Sequence, residues 1–263
     1  MLPKKQLTII AGPCAAESRQ QLGQITKNLV KTGLIQAVRA SLFKPRTNHP
    51  LDTEFFDGVG HQGISWFIDT AIKHNIPLAT EVIIPEHVTA ILKELNKRQS
   101  PPKLILWLGS RNQNHLIQTE IARIINQHAP KDTLLLIKNQ PWRNQKHWEG
   151  IVTHVLASGL SKNRIILCHR GFQPDGRENP SKFRNLPDFD MAMAVKKTTS
   201  LPMLLDPSHI GGTVDNVLKT INDARSFDFD GLMIEVHPKP AVALSDAKQQ
   251  LDIFQFKKLL SNL

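Results

Sequence analysis

The chain has 263 residues, 40% hydrophobic and 21% charged, a balance that supplies a full globular core and excludes a disordered or fibrous protein. Two cysteines are too few for a disulfide framework, no apolar run approaches the ~20 residues of a membrane span, and Met-Leu-Pro-Lys-Lys at the start lacks a signal peptide's apolar stretch, so a cytoplasmic protein away from membranes is expected. The formal charge of +10 leaves nucleic acid, an anionic surface or a phosphorylated small molecule as partner; the cations are spread rather than clustered, which favours the small phosphorylated ligand over nucleic acid.

The first predicted strand is Leu7 to Gly12, ending at Pro13-Cys14. A helix follows with Leu22, Ile25, Leu29 and Val30 on one face and Gly33 as its stop. The second strand runs from Leu34 to Arg39 and on towards Phe43, then opens into a polar loop from Lys44 to Pro50. A helix over Gly63 to His74 leads to the third strand, Pro77 to Val82, and its helix carries Val88, Ile91, Leu92 and Leu95. The fourth strand, Lys103 to Leu108, ends at Gly109-Ser-Arg111-Asn112. Asn112 is the expected cap of a helix bearing Leu116, Ile117, Ile121, Ile124 and Ile125.

The fifth strand is Thr133 to Lys138, followed by a helical face of Trp148, Ile151, Val152, Val155 and Leu156. The sixth is Arg164 to Arg170, then a polar loop and a helix near Asp188 to Thr198. The seventh is Leu201 to Asp206, with Pro207-Ser-His209 at its end, and Val214, Val217, Leu218 and Ile221 mark the next helix. The eighth begins Gly231-Leu-Met-Ile-Glu235, and a helix with Leu251, Phe254, Leu259 and Leu260 closes the chain. Short, continuously apolar strands alternating with amphipathic helices imply parallel strands covered on both faces. Eight such units predict an α/β fold, a single (β/α)8 TIM barrel over residues 1–263, which typically takes ~250 residues. No Gly-x-Gly-x-x-Gly follows any strand, which argues against a dinucleotide fold.

In this barrel the C-terminal strand ends form the active-site face. Residues there include Cys14, Arg39, Lys44, Arg46, Glu81, Arg111, Lys138, Arg170, His209, Glu235 and Asp246. Buried strands that deliver cations to one mouth call for anions, because unpaired buried charge is costly; phosphate and carboxylate are the natural ligands for arginine. Cys14, His209, Glu235 and Asp246 form a second group, able to converge on one divalent metal. Mixed S/N/O ligation leaves Mn, Fe, Co and Zn open. Cys168 reads instead as a small buried hydrophobe.

Six stretches carry a resemblance: Ala11-Gly-Pro-Cys-Ala-Ala-Glu-Ser18, Phe43-Lys-Pro-Arg-Thr-Asn48, Gly109-Ser-Arg-Asn112, Cys168-His-Arg-Gly171, Asp206-Pro-Ser-His209, and Ile234-Glu-Val-His-Pro238 with Ala243-Leu-Ser-Asp246. Together and in order they resemble the 3-deoxy-D-arabino-heptulosonate 7-phosphate (DAHP) synthase family, in its short class I beta-type form. The resemblance implies condensation of phosphoenolpyruvate with erythrose 4-phosphate, the first step of the shikimate pathway towards aromatic amino acids. It makes Cys14, His209, Glu235 and Asp246 the metal ligands. It places Arg39, Lys44, Arg111, Lys138, Arg170 and His209 around phosphoenolpyruvate, and Lys44, Pro45, Arg46 and Thr47 on the aldose phosphate. Lys44, His209 and Asp246 are the expected catalytic residues. It also implies a homo-oligomer, dimer or tetramer. The barrel fills the chain, so no added regulatory domain is expected.

Five positions depart from the family pattern. Asn139-Gln140 follow Lys138 where a basic residue and glycine are usual, and His169 precedes Arg170 where glutamate is usual. Ser110 replaces an alanine and Ala247 a glycine. His169 is expected to alter how the phosphate pocket is filled. The alternatives are the related synthase acting on arabinose 5-phosphate, a relative using another aldose, and a non-catalytic barrel that binds phosphate ligands. Lys44-Pro-Arg-Thr47 and Asp206-Pro-Ser-His209 favour the heptulosonate enzyme over the octulosonate one.

Overall fold

A computed structural model describes residues 7–44 and 56–261. Eight parallel strands close into one barrel in sequence order. They are β1 (Thr8–Gly12), β2 (Ala37–Arg39), β3 (Leu78–Val82), β4 (Leu104–Leu108), β5 (Leu134–Lys138), β6 (Ile165–His169), β7 (Met203–Leu205) and β8 (Gly231–Glu235). The ring shuts where β1 pairs with β8, Thr8 opposite Gly231 and Gly12 opposite Glu235. The outer layer holds α1 (Arg19–Val30), α2 (Gln62–Lys73), α3 (Pro85–Leu95), α4 (His115–His128), α5 (Gln145–Ala157), α6 (Phe189–Thr199), α8 (Val214–Asp223) and α9 (Ile253–Leu260). A one-turn helix, α7 (Pro207–Gly211), sits on the end of β7.

Side chains alternate across each strand, and this parity divides the core in two. Ile10, Ala37, Ala79, Ile105, Trp107, Leu136, Cys168, Leu204 and Met233 fill the barrel interior. Their neighbours Ile9, Val38, Leu78, Leu106, Ile137, Leu167, Leu205 and Leu232 face the helices. Counting on from the inward set, the same parity aims Arg39, Glu81, Lys138, Arg170, Asp206 and Glu235 into the barrel's upper end. The helices start where the local chemistry directs them. Ser18 caps α1 by accepting from the Gln21 N–H, and Asp252 with Gln255 form a reciprocal capping box on α9.

Several expected boundaries move. Strand β2 spans only Ala37–Arg39, because the Gln36 side chain bonds the Ile9 N–H and Leu34 is exposed. Asn114, not Asn112, caps α4: its Oδ1 accepts from the Leu116 and Ile117 N–H groups. Asn112 instead donates to the Ile83 carbonyl. With α4 starting at His115, Leu116 falls on the solvent side at 82% exposure and Gln118 turns inward. Phe254 is likewise 72% exposed, and Phe256 takes the core position on α9. The Pro207-Ser-His209 stretch after β7 forms a helical turn capped by Asp206.

Candidate active site

A cavity of about 690 Å³ opens at the C-terminal ends of the strands. Of the residues expected there, Cys14, Arg39, Lys44, Glu81, Arg111, Lys138, Arg170, His209 and Asp246 line it. Glu235 lies just behind, fully buried. Pro45, Arg46 and Thr47 lie outside the described residues.

Trp107 forms the floor, with the Arg39 guanidinium 5.0 Å and the Lys138 ammonium 5.5 Å from its ring centre. Arg39 Nη2 stands 3.3 Å from Glu235 Oε1 and donates to the Cys14 carbonyl at 3.0 Å. Its Nε and Nη1 are buried without a protein partner, donors of the kind that a bound carboxylate or phosphate would satisfy. Lys138 Nζ meets Asp206 Oδ2 at 2.6 Å. Asp206 Oδ1 also accepts the His209 N–H at 3.0 Å, and Oδ2 lies 2.8 Å from His209 Nδ1. Burial works against the charge on Asp206, but His209 and Lys138 hold its carboxyl well below the ordinary range. Gly109 leaves room for Glu81, since a Cβ there would come within 1.9 Å of Glu81 Oε1. Burial raises the Glu81 pKa against the pull of Lys138 and Arg39.

The second group forms where β1 meets β8 and the loop beyond it. The sulfur, carboxylate and carboxylate atoms of Cys14, Glu235 and Asp246 lie within 4.8 Å of one another. His209 borders them, with Nε2 3.7 Å from Glu235 Oε1. Asp246 has φ +48°, the left-handed region that aspartate tolerates better than most residues, and its Oδ2 accepts from the Cys14 thiol at 3.1 Å. Lys44 Nζ donates to both Cys14 Sγ, at 2.7 Å, and Asp246 Oδ2, at 2.9 Å. Burial opposes the charge on Lys44, yet Cys14, Asp246 and Glu235 beside it raise its pKa. Burial and then Glu235 push the Cys14 thiol well above its ordinary value, so it carries its proton at neutral pH. Glu235 Oε1 is buried without a hydrogen-bond partner. A soft sulfur, two carboxylates, one with an unsatisfied buried oxygen, and an imidazole at the border fit a divalent cation of the Mn-to-Zn series.

Some residues of the site escape the strand-end reading of the sequence. Trp107 and Asp206 follow from inward parity on β4 and β7. Arg184, Asn185 and Gln249 carry no such signal, because they sit in loops. Arg184 Nη1 bonds Asp246 Oδ1 at 3.0 Å and Gln249 Oε1 at 2.7 Å, and Gln249 Nε2 bonds Glu235 Oε2 at 2.7 Å. His169 does not alter the pocket as expected. It points outward, accepts the Asp188 N–H at 3.0 Å and stacks on Trp148. Burial lowers its pKa to about 3, so it is a neutral core residue.

A model of the DAHP synthetase I family matches residues 3–263. The phospho-2-dehydro-3-deoxyheptonate aldolase of Thermotoga maritima is 30% identical over 256 residues, covering 97% of this chain and 68% of that protein. The crystal structure of the Thermotoga maritima protein of that name superposes with a TM-score of 0.82 at 28% identity, covering 98% of this chain and 68% of that one. A 2-dehydro-3-deoxyphosphooctonate aldolase of Francisella philomiragia subsp. philomiragia is 25% identical over 283 residues, 98% of this chain and 90% of that protein.

Proposed function

This chain belongs to the DAHP synthetase I family and is an enzyme, and from that premise we propose how the barrel mouth condenses phosphoenolpyruvate with erythrose 4-phosphate. One observation carries the reading: three side chains able to ligate a metal meet within 4.8 Å at the edge of a cavity walled by arginine and lysine. A metal site beside an anion site is what a phosphorylated nucleophile and an aldehyde require together.

In this proposal Arg111 and Arg170 grip the phosphate of phosphoenolpyruvate, and Arg39 and Lys138 take its carboxylate over the Trp107 floor. Their work is positioning and charge stabilisation, holding the methylene carbon against the aldehyde carbon. Cys14, Glu235 and Asp246, with His209 as the fourth ligand, would hold a divalent metal, which supplies Lewis-acid polarisation of the aldehyde oxygen when bound. Lys44 stands at the junction of the two groups and is the acid/base nearest the aldehyde. The new carbon–carbon bond joins the methylene carbon to the aldehyde carbon, water adds at the former enol carbon, and phosphate leaves with cleavage of its C–O bond. Pro45, Arg46 and Thr47 complete the reading as the holders of the aldose phosphate.

The test follows loss of phosphoenolpyruvate by the purified protein with erythrose 4-phosphate or arabinose 5-phosphate, with EDTA and then added Mn. Loss with the four-carbon aldose alone, stopped by EDTA and restored by Mn, is expected. Loss with the five-carbon aldose alone would replace the substrate, and loss unaffected by EDTA would remove the metal from the reading.

A further inference from the structure

Arg170 is held differently from Arg39, Lys138, Lys44 and Arg184. Arg39 and Lys138 each face a buried carboxylate, Glu235 and Asp206, while Lys44 and Arg184 share Asp246. Arg170 is only 7% exposed, yet among the described residues no carboxylate stands within ion-pair distance of it. Two amides hold it instead. Asn139 Oδ1 accepts its backbone N–H at 2.7 Å, and Asn185 Oδ1 accepts from Nη1 at 2.7 Å.

Asn185 is itself locked in place. It is 3% exposed. Its Nδ2 donates to the His209 carbonyl at 2.5 Å, and its backbone N–H donates to the Ile210 carbonyl at 3.1 Å. Gly171 packs so closely that a Cβ there would lie 2.8 Å from Asn185 Cβ. The amide is therefore anchored on the turn that carries His209 and reaches back to aim the guanidinium from β6.

A neutral acceptor can orient a guanidinium without cancelling its charge. A carboxylate in the same place would form a charge-assisted pair and compete with any anionic ligand. Burial moves the Arg170 pKa down to about 10, against the pull of Asp206, which lies beyond ion-pair distance. The group still carries its charge at neutral pH.

We propose that Asn185 is a positioning residue for phosphoenolpyruvate: it aims Arg170 at the phosphate, and its being an amide rather than a carboxylate keeps that charge available to the ligand. This rests on Arg170 being a phosphate-binding residue, as proposed above.

The test is direct calorimetric binding of phosphoenolpyruvate to Mn-loaded enzyme without aldose, together with KM, kcat and Mn affinity. Asn185→Ala should weaken phosphoenolpyruvate by roughly 10- to 150-fold, the scale of one hydrogen bond to a charged group, with kcat at saturation nearly unchanged. Arg170→Met should weaken it further, and adding Asn185→Ala to Arg170→Met should then cost less than about 2-fold, because the two act as one unit. Asn185→Asp should bind phosphoenolpyruvate worse than Asn185→Ala, the reverse of the order that simple loss of packing would give.

An Asn185→Ala effect that persists in full on top of Arg170→Met would overturn the proposal. So would Mn affinity falling while phosphoenolpyruvate affinity holds, which would mean that Asn185 acts through His209. Should Asn185→Asp fail to fold, the Ala and Met cycle decides alone. Arg170→Met binding as tightly as wild type would instead remove Arg170 from the phosphate site, a failure of the premise and distinct from normal binding by Asn185→Ala alone.

Discussion

Asp206→Asn probes the charge balance on which the cation-lined mouth depends. Asp206 is fully buried, and its Oδ2 lies 2.6 Å from Lys138 Nζ, itself in a side chain 5% exposed. The substitution keeps the shape. An asparagine oxygen can still accept the His209 N–H that Oδ1 accepts now, so the cap on α7 costs almost nothing. What disappears is the counter-charge, which leaves a buried ammonium uncompensated. Removing one partner of a buried pair costs ~3–5 kcal/mol. With the amide oxygen kept on the His209 N–H, the NH2 group that replaces Oδ2 faces the ammonium donor to donor and recovers none of that, so the loss stays at ~3–5 kcal/mol. For a chain of this length the loss corresponds to a fall in Tm of roughly 6–20 °C.

Urea denaturation at pH 7.5 and a thermal scan both read it. Saturating phosphoenolpyruvate should restore more stability to Asp206→Asn than to wild type, because the ligand brings the anion that the variant lacks. A loss under ~1 kcal/mol with an unchanged m-value would refute the reasoning, since Lys138 would then be balanced without Asp206.

Three further outcomes are expected. His169, buried and neutral with its pKa lowered to about 3, stabilises the fold fully above the unfolded histidine value near ~6.5 and loses that contribution as pH falls, ~1.4 kcal/mol by pH 5.5. His169→Gln, whose side-chain oxygen can still accept the Asp188 N–H, should therefore lose less stability between pH 7.5 and 5.5 in urea titrations, and equal losses would sink the idea. Asn114→Ala should cost ~1 kcal/mol through loss of the α4 cap; a change of a few tenths in urea stability would show that the cap is made elsewhere. Because burial and Glu235 raise the Cys14 thiol, a metal that binds there must release its proton. Co binding, followed by its thiolate absorption, should thus strengthen as pH rises from 6.5 to 8 and lose that absorption in Cys14→Ala. The same absorption in the variant would rule Cys14 out as a ligand.

Sequence alone determined the eight repeats of strand and helix, because both periodicities are local properties of the chain. It also placed cations and carboxylates at strand ends, where a turn from apolar to polar residues shows them. Inward and outward facing was legible too, but only once one residue of each strand is known to face in. That count makes Trp107 a floor and Asp206 a buried partner, and it turns His169 towards the helices.

Tertiary structure decided the rest. Cys14 meets Asp246 across 232 positions of sequence, and only closure of β1 on β8 brings them together. The cap of α4 passed from Asn112 to Asn114 because helix starts depend on where the preceding loop is tied, here by Asn112 to the Ile83 carbonyl. Arg184 and Asn185 lie in a loop with neither period nor motif. Their roles exist only because the turn after β7 and Gly171 after β6 fix that backbone against the cavity. Local chemistry chose which groups reach the barrel's upper end; long-range packing chose which of them touch.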